Sequence, residues 1–188
     1  MKILIIDGPD NCGKNTIIKD IIDNHDSVKI IHCHKPDKSA ADPLKEMEKV
    51  YFQHAASIIR DHSLKDTDIV VFNRYYIGEW VYGQMYRNED PNAIKALIVS
   101  LEQHLLKHIG YDDIYYVQLL STSPKLLKNN DDGKSLSNAD MNKIWTENSM
   151  FKQAYGFSSL KKRMIYVNDR EAFRPKDEII SEVRNFYS

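Results

Sequence analysis

Short apolar runs alternate with longer stretches of helical spacing along most of the chain. Lys2–Ile6, Val28–Cys33, Asp68–Phe72 and Ile114–Leu120 are rich in Ile, Val, Tyr and Phe and read as buried strands, with Met164–Val167 as a fifth candidate. Thr16–Asn24 follows the first strand with helical spacing. Before the third, Leu44–His62 places Leu44, Met47, Val50, Tyr51, Ala55, Ile58 and Ile59 on one helical face. Ala93–His108 is a further long helix candidate. Lys176–Tyr187 closes the chain behind Pro175, a residue suited to a helix start. Strands alternating with helices predict right-handed crossovers and a mostly parallel sheet covered on both faces. Only Ser121–Asn138 breaks the pattern. It is polar, lacks apolar periodicity and contains Asn129-Asn130-Asp131-Asp132-Gly133, a turn signal. Loops of this length are lids, binding loops or plain surface insertions.

The length of 188 residues, with no internal repeat or low-complexity linker, predicts one domain. A hydrophobic fraction of 42% and a charged fraction of 28% suit a globular chain able to bury a core without metal or disulfide staples. Lys and Arg total 26 against 27 for Asp and Glu, so no coat of positive charge for nucleic acid is expected. Cys12 and Cys33 form no CxxC pair or secreted framework. No segment approaches the roughly 20 apolar residues of a bilayer span, and Ile3–Ile6 is too short for a signal-peptide core. A reducing, cytoplasmic protein is the expectation.

The first strand runs into Gly8-Pro9-Asp10-Asn11-Cys12-Gly13-Lys14-Asn15-Thr16, which fits G-x-x-x-x-G-K between a strand and a helix. Glycines let the backbone fold around phosphates while successive N–H groups at a helix N-terminus point at the anion. The phosphate-binding candidates are therefore Gly8, Asn11, Cys12, Gly13, Lys14, Asn15 and Thr16. Lys14 would stand against the β- and γ-phosphates of ATP. The hydroxyl that usually follows this lysine, a Mg²⁺ ligand, is replaced by Asn15. Either Asn15 takes that role, or Thr16 reaches the site, or water fills the gap.

These residues resemble the thymidylate kinase family, within the nucleoside and nucleotide kinases, whose loop commonly reads E-G-x-D-x-x-G-K-[ST]-T; here it is Asp7-Gly8-Pro9-Asp10-Asn11-Cys12-Gly13-Lys14-Asn15-Thr16. Asn73-Arg74-Tyr75-Tyr76 is similar to the family's D-R-Y corner, and Gly78–Gly83 to a version found in phage-encoded relatives, with Tyr82 at the Tyr of S-x-x-A-Y-Q. The resemblance implies a three-layer P-loop kinase fold, a five-stranded mostly parallel sheet flanked by helices. It also implies site roles. Asp10 would accept the 3'-hydroxyl of the substrate sugar, Arg74 would bind the acceptor phosphate, and Phe52 would stack on the base. Lys35, in a His34-Lys35-Pro36 corner similar to R-E-P, would help neutralise phosphate, and Glu79 would contact substrate or metal. The family's base-reading Arg is absent, since position 56 is Ala; Arg60 lies one turn on. Lys125, Lys128 and Lys134 stand in 121–138, where family lids supply Arg. A homodimer is implied by the resemblance alone.

The resulting expectation is ATP- and Mg²⁺-dependent phosphorylation of a deoxynucleoside monophosphate, dTMP foremost, with Lys14, Arg74 and Asp10 as the catalytic set. Two alternatives stand beside it. One is a deoxynucleoside kinase acting on a 5'-hydroxyl, for which a carboxylate rather than Asn73 would be expected beside Arg74. The other is a nucleotide-binding protein with little catalysis, since positions 15 and 73 are both Asn.

Overall fold

The computed structural model describes residues 1–188 except 34, 35, 38, 39, 65, 66, 132 and 134, and except the side chains at 63 and 64. Lys35 and Lys134 thus lie outside the described residues. The elements run β1 (Lys2–Asp7), α1 (Lys14–Asn24), β2 (Val28–His32), α2 (Pro43–Leu64), β3 (Ile69–Asn73), α3 (Glu79–Arg87) and α4 (Pro91–His108). There follow β4 (Ile114–Leu120), α5 (Pro124–Asn129), α6 (Met141–Phe157), β5 (Lys161–Tyr166), the short β6 (Asn168–Asp169) and β7 (Ala172–Phe173), and α7 (Lys176–Tyr187).

β1 to β5 form one parallel sheet in the order β2-β3-β1-β4-β5. Side chains alternate across its faces as strand geometry requires. Ile3, Ile5, Val70 and Phe72 face a core shared with α2 and α4. Leu4, Ile6, Val71 and Val117 face the opposite core, shared with α1 and α7. Both faces are thus covered, and the central strands β1, β3 and β4 read as continuous apolar runs because nearly every residue is buried on one side or the other. Among the described residues no helix is long and apolar enough to cross a membrane.

The strands fall where the sequence puts them, within a few residues; the fifth starts earlier, at Lys161. α6 is the longest element that apolar spacing did not reveal. Its buried positions are Ile144, Glu147, Phe151 and Ala154, a helical stripe with a carboxylate in place of one apolar side chain. Asp140 caps it by accepting from the Asn142 and Lys143 amides. The segment 121–138 is not wholly irregular either. Pro124 opens α5 in its midst, anchored by buried Leu127.

One buried carboxylate ties the helical layer together. Glu102 on α4 accepts from Ser158 Oγ at 2.6 Å, the Ser159 amide at 2.5 Å and Tyr76 Oη at 3.5 Å. It thereby joins the α6–β5 turn to the segment after β3. Replacing Glu102 with Ala strands the buried Ser158 and Tyr76 hydroxyls and frees the part-buried Ser159 amide, and buried groups cost about 1–3 kcal/mol each when unpaired. Urea unfolding followed by circular dichroism should show Glu102→Ala lowered in stability by at least ~2 kcal/mol, with Glu102→Gln retaining part of it.

Candidate active site

β1 and β3 are neighbours, and the register Ile6↔Asn73 brings their carboxyl ends together. Ligand crevices of open parallel sheets lie beyond such ends. The loop after β1 turns sharply at Gly8, with φ +143°, where an added Cβ would lie 2.3 Å from the Leu119 carbonyl oxygen. Only glycine fits so close to β4. Asn11 and Gly13 also have positive φ, and the Thr16 and Ile17 amides fold onto the Gly13 carbonyl to start α1. The loop from Asp10 to Thr16 lines a cavity of ≈ 560 Å³. Gly8 does not; its amide donates instead to Asp7 Oδ1 at 3.0 Å.

Lys14 is buried beneath this loop, with Nζ donating to the Gly8 carbonyl at 2.9 Å and the Pro9 carbonyl at 2.6 Å. Burial, then the Arg74 charge, pulls its ammonium down from 10.5 to about 8. Asp7 is fully buried, and burial pushes its carboxyl up to about 6 against the pull of Arg74 and Lys14. Its Oδ2 has no hydrogen-bond partner.

Arg74 follows β3 with φ 65°, a conformation a non-glycine residue seldom holds, and its amide bonds to the Ile6 carbonyl at 3.0 Å. The turn aims its guanidinium across the sheet to Asp10, to which Nη2 donates. Its Cζ lies 5.4 Å from the centroid of the Tyr82 ring, and its buried Nε has no partner. Arg74 and Asp10 line not only the phosphate-loop cavity but also a second one of ≈ 540 Å³. The ion pair therefore stands at the seam between two cavities.

Glu79, Tyr82, Tyr86 and Arg87, all on α3, line the second cavity with Tyr51 of α2. Phe52 does not. It packs towards α4, with its ring centroid 5.7 Å from that of His104, so the helical repeat gives the cavity Tyr51 and the core Phe52. Arg60 is exposed and lines neither cavity. Lys125 and Lys128 on α5 are likewise exposed and line neither; Asn130 and Ser135 reach the first cavity and Leu136 the second. The resemblance to lids that supply Arg drew attention to the lysines, whereas Asn130, Ser135 and Leu136 are the residues beyond α5 that line the cavities.

Sequence reasoning also missed the far wall of the first cavity. Val167, Phe173, Arg174, Ile179 and Ile180 build it from the β6–β7 ribbon and the start of α7, and Phe173 is 38% exposed. An aromatic on a two-residue strand carries no periodic signal. Glu147 escaped with α6. It is buried, takes a hydrogen bond from Tyr86 Oη, and burial raises its carboxyl above the usual range.

Among the described residues there is no group of three His, Cys, Asp or Glu able to hold a metal. Asn73 Nδ2 donates to Asn15 Oδ1 at 3.0 Å, and the buried Asn73 Oδ1 has no partner. A neutral set of this kind suits a magnesium held mainly by phosphate and water, to which Asn15, Thr16 or Asn73, all lining the first cavity, would offer an oxygen.

Neither a family model nor a curated protein matches the sequence. Solved structures do match the fold. YorR from Bacillus subtilis, crystallised with phosphorylated GDP, has TM-score 0.69 at 15% identity, covering 98% of this chain and 94% of that one. Thymidylate kinase from Ehrlichia chaffeensis has TM-score 0.59 at 15% identity, covering 100% and 98%. Deoxyadenosine kinase from M. mycoides with bound dATP has TM-score 0.52 at 16% identity, covering 100% of both. The chain has the three-layer α/β fold of the P-loop nucleoside and nucleotide kinases.

Proposed function

We propose that the chain is one ATP-dependent kinase domain, 1–188, that phosphorylates a deoxynucleoside monophosphate, dTMP foremost. The observation that carries this reading is the position of Arg74 and Asp10, which line both cavities at once. A triphosphate fits the loop amides and Lys14, and a second phosphate fits Arg74, whose fork suits phosphate oxygens and whose Nε is unpartnered. Asp10 would orient the acceptor sugar. The acceptor phosphate is already ionised, so transfer requires positioning and charge neutralisation rather than a general base. Magnesium, when bound through Asn15 and Asn73, would neutralise charge on the donor phosphates. The segment 121–138, which contributes Asn130, Ser135 and Leu136, would act as the lid that keeps water out.

An ADP-release assay with ATP and Mg²⁺ across deoxynucleosides and their monophosphates tests the reading. Turnover with monophosphates is expected. Turnover with nucleosides alone would assign a 5'-hydroxyl kinase, and ATP binding without turnover a nucleotide-binding protein. Lys14→Ala should lower kcat at least about a hundredfold. Arg74→Lys keeps the charge but not the fork, and should raise KM for the monophosphate more than KM for ATP.

The ammonium of Lys14 gives a pH dependence of ATP binding. Below pH 8 it is charged before and after binding, so affinity should be flat. Above about 8 it must take up a proton when phosphate arrives, so affinity should fall as pH rises. Calorimetry in buffers of different ionisation enthalpy reads that uptake directly. No proton uptake near pH 9 would separate Lys14 from the phosphates.

A further inference from the structure

Glu79, Gly83 and Arg87 recur every fourth residue of α3 and so share one stripe of the helix. Long helical side chains lean towards the N-terminus, and Arg87 reaches back two turns so that Nη2 donates to Glu79 Oε2. Gly83 leaves the path open. A Cβ there would lie 3.4 Å from Arg87 Nη2, 3.5 Å from Glu79 Oε2 and 2.9 Å from Ile94 Cδ1. Glu79 is held in turn by Tyr51, whose hydroxyl donates to Oε1 at 2.6 Å. On its other side Arg87 Nε faces Glu89 Oε1 at 3.8 Å without a hydrogen bond. Tyr51, Glu79 and Arg87 all line the cavity that has Arg74 and Asp10 at its seam. Phosphoryl transfer as described above uses none of the three.

We propose that Arg87 reads the base of the acceptor nucleotide through a carbonyl edge, with Glu79 as its positioning residue. The inference rests on assigning the second cavity to the acceptor. A guanidinium offers five donors and no acceptor. Glu79 accepts from Tyr51 and from Arg87 Nη2, which fixes the guanidinium in the cavity wall with N–H groups beyond the one given to Glu79. A keto oxygen satisfies them. An exocyclic amino group in the same place sets donor against donor beside a buried charge, which a site built to pair with a carbonyl rejects. α2 supplies no rival guanidinium, since Ala56 and Arg60 are exposed and neither lines the cavity.

The ligand pair that isolates this contact is dUMP against dCMP, which differ only along the base edge in question. Wild-type protein should favour dUMP in kcat/KM by about tenfold or more. Arg87→Met should bring the ratio close to one, through KM rather than kcat, with KM for ATP unchanged. Glu79→Gln should raise KM for dUMP by less than Arg87→Met does. A purely structural ion pair predicts the opposite: a lower melting temperature in Arg87→Met with the dUMP/dCMP ratio intact, which would overturn the proposal. So would equal use of the two nucleotides by the wild type. If Arg87→Met does not fold, Arg87→Lys serves; its single point of charge should still reduce the ratio.

Equilibrium binding of the same pair, and of deoxyuridine against deoxycytidine, measures the preference without turnover. A keto preference in binding that Arg87→Met abolishes, in a protein that transfers no phosphate, would sink the kinase reading and leave this one standing. Turnover of monophosphates indifferent to the base would do the reverse.

Discussion

The ion pair between Asp10 and Arg74 is the contact on which the rest of the site depends. It can form only because two adjacent parallel strands end at the same height. Asp10 belongs to the loop after β1, Arg74 follows β3, and the register Ile6↔Asn73 sets them side by side. Arg74 holds a left-handed backbone to make the approach, and its amide bond to Ile6 fixes that turn against the first strand. The sheet's pairing is thereby converted into the relative placement of two cavities. A slip in register would separate them, and one residue of slip would also exchange the two apolar faces.

The cluster is expensive in the absence of ligand. Asp7, Lys14 and Glu79 are buried, and burial disfavours the charged form of each. The signs differ in their consequence for pH. A folded carboxyl raised to about 6 gives Asp7 a stabilising contribution that is complete below pH 3.8 and lost as pH rises through 6. A folded ammonium lowered to about 8 makes the Lys14 contribution complete above 10.5 and lost as pH falls through 8. Near neutrality both groups are charged and both oppose folding. The opposition is offset by the two apolar cores on either face of the sheet, and phosphate binding would remove the part due to Lys14. Active sites carry such costs because preorganised charge is what a phosphoryl group requires.

Much of this was legible in the sequence because it rests on local pattern. Five apolar runs and the G-x-x-x-x-G-K spacing set the sheet and the loop, and Arg74 stands where a strand-end arginine should. What stayed hidden depends on contacts between distant segments. α6 was masked because Glu147 occupies a position on its buried stripe, where its partner is Tyr86, 61 residues away. Phe52 and Tyr51 are neighbours in sequence, and nothing local tells which faces the cavity. The Arg87–Glu79 contact is spaced by two helical turns and becomes visible only when Gly83 is seen to clear the path. The lysines of 121–138 drew attention through the resemblance to lids that supply Arg, although charge in a polar segment is ordinarily solvated.

The neutral pair Asn15 and Asn73 redistributes the electrostatics of the whole centre. A hydroxyl and a carboxylate at these places would hold a cation directly, and the carboxylate would also repel the incoming phosphates. Two amides offer a cation only neutral oxygens and do not repel the phosphates. They bond to one another through Nδ2 and Oδ1, leaving a single buried oxygen unpaired. Charge neutralisation then falls on groups that cannot leave: the Lys14 ammonium beneath the loop and the Arg74 guanidinium at the seam. Arginine suits that duty, since it stays protonated even when desolvated. Asp10 is then the remaining anion facing both cavities, and its pairing with Arg74 keeps the seam close to neutral until phosphate arrives. An entering phosphate competes with Asp10 for the same guanidinium edge, so a sugar hydroxyl that donates to the released carboxylate would compensate the exchange. On the proposed reading Asp10 and Arg74 would act as one device, with acceptor sugar and acceptor phosphate recognised together or not at all.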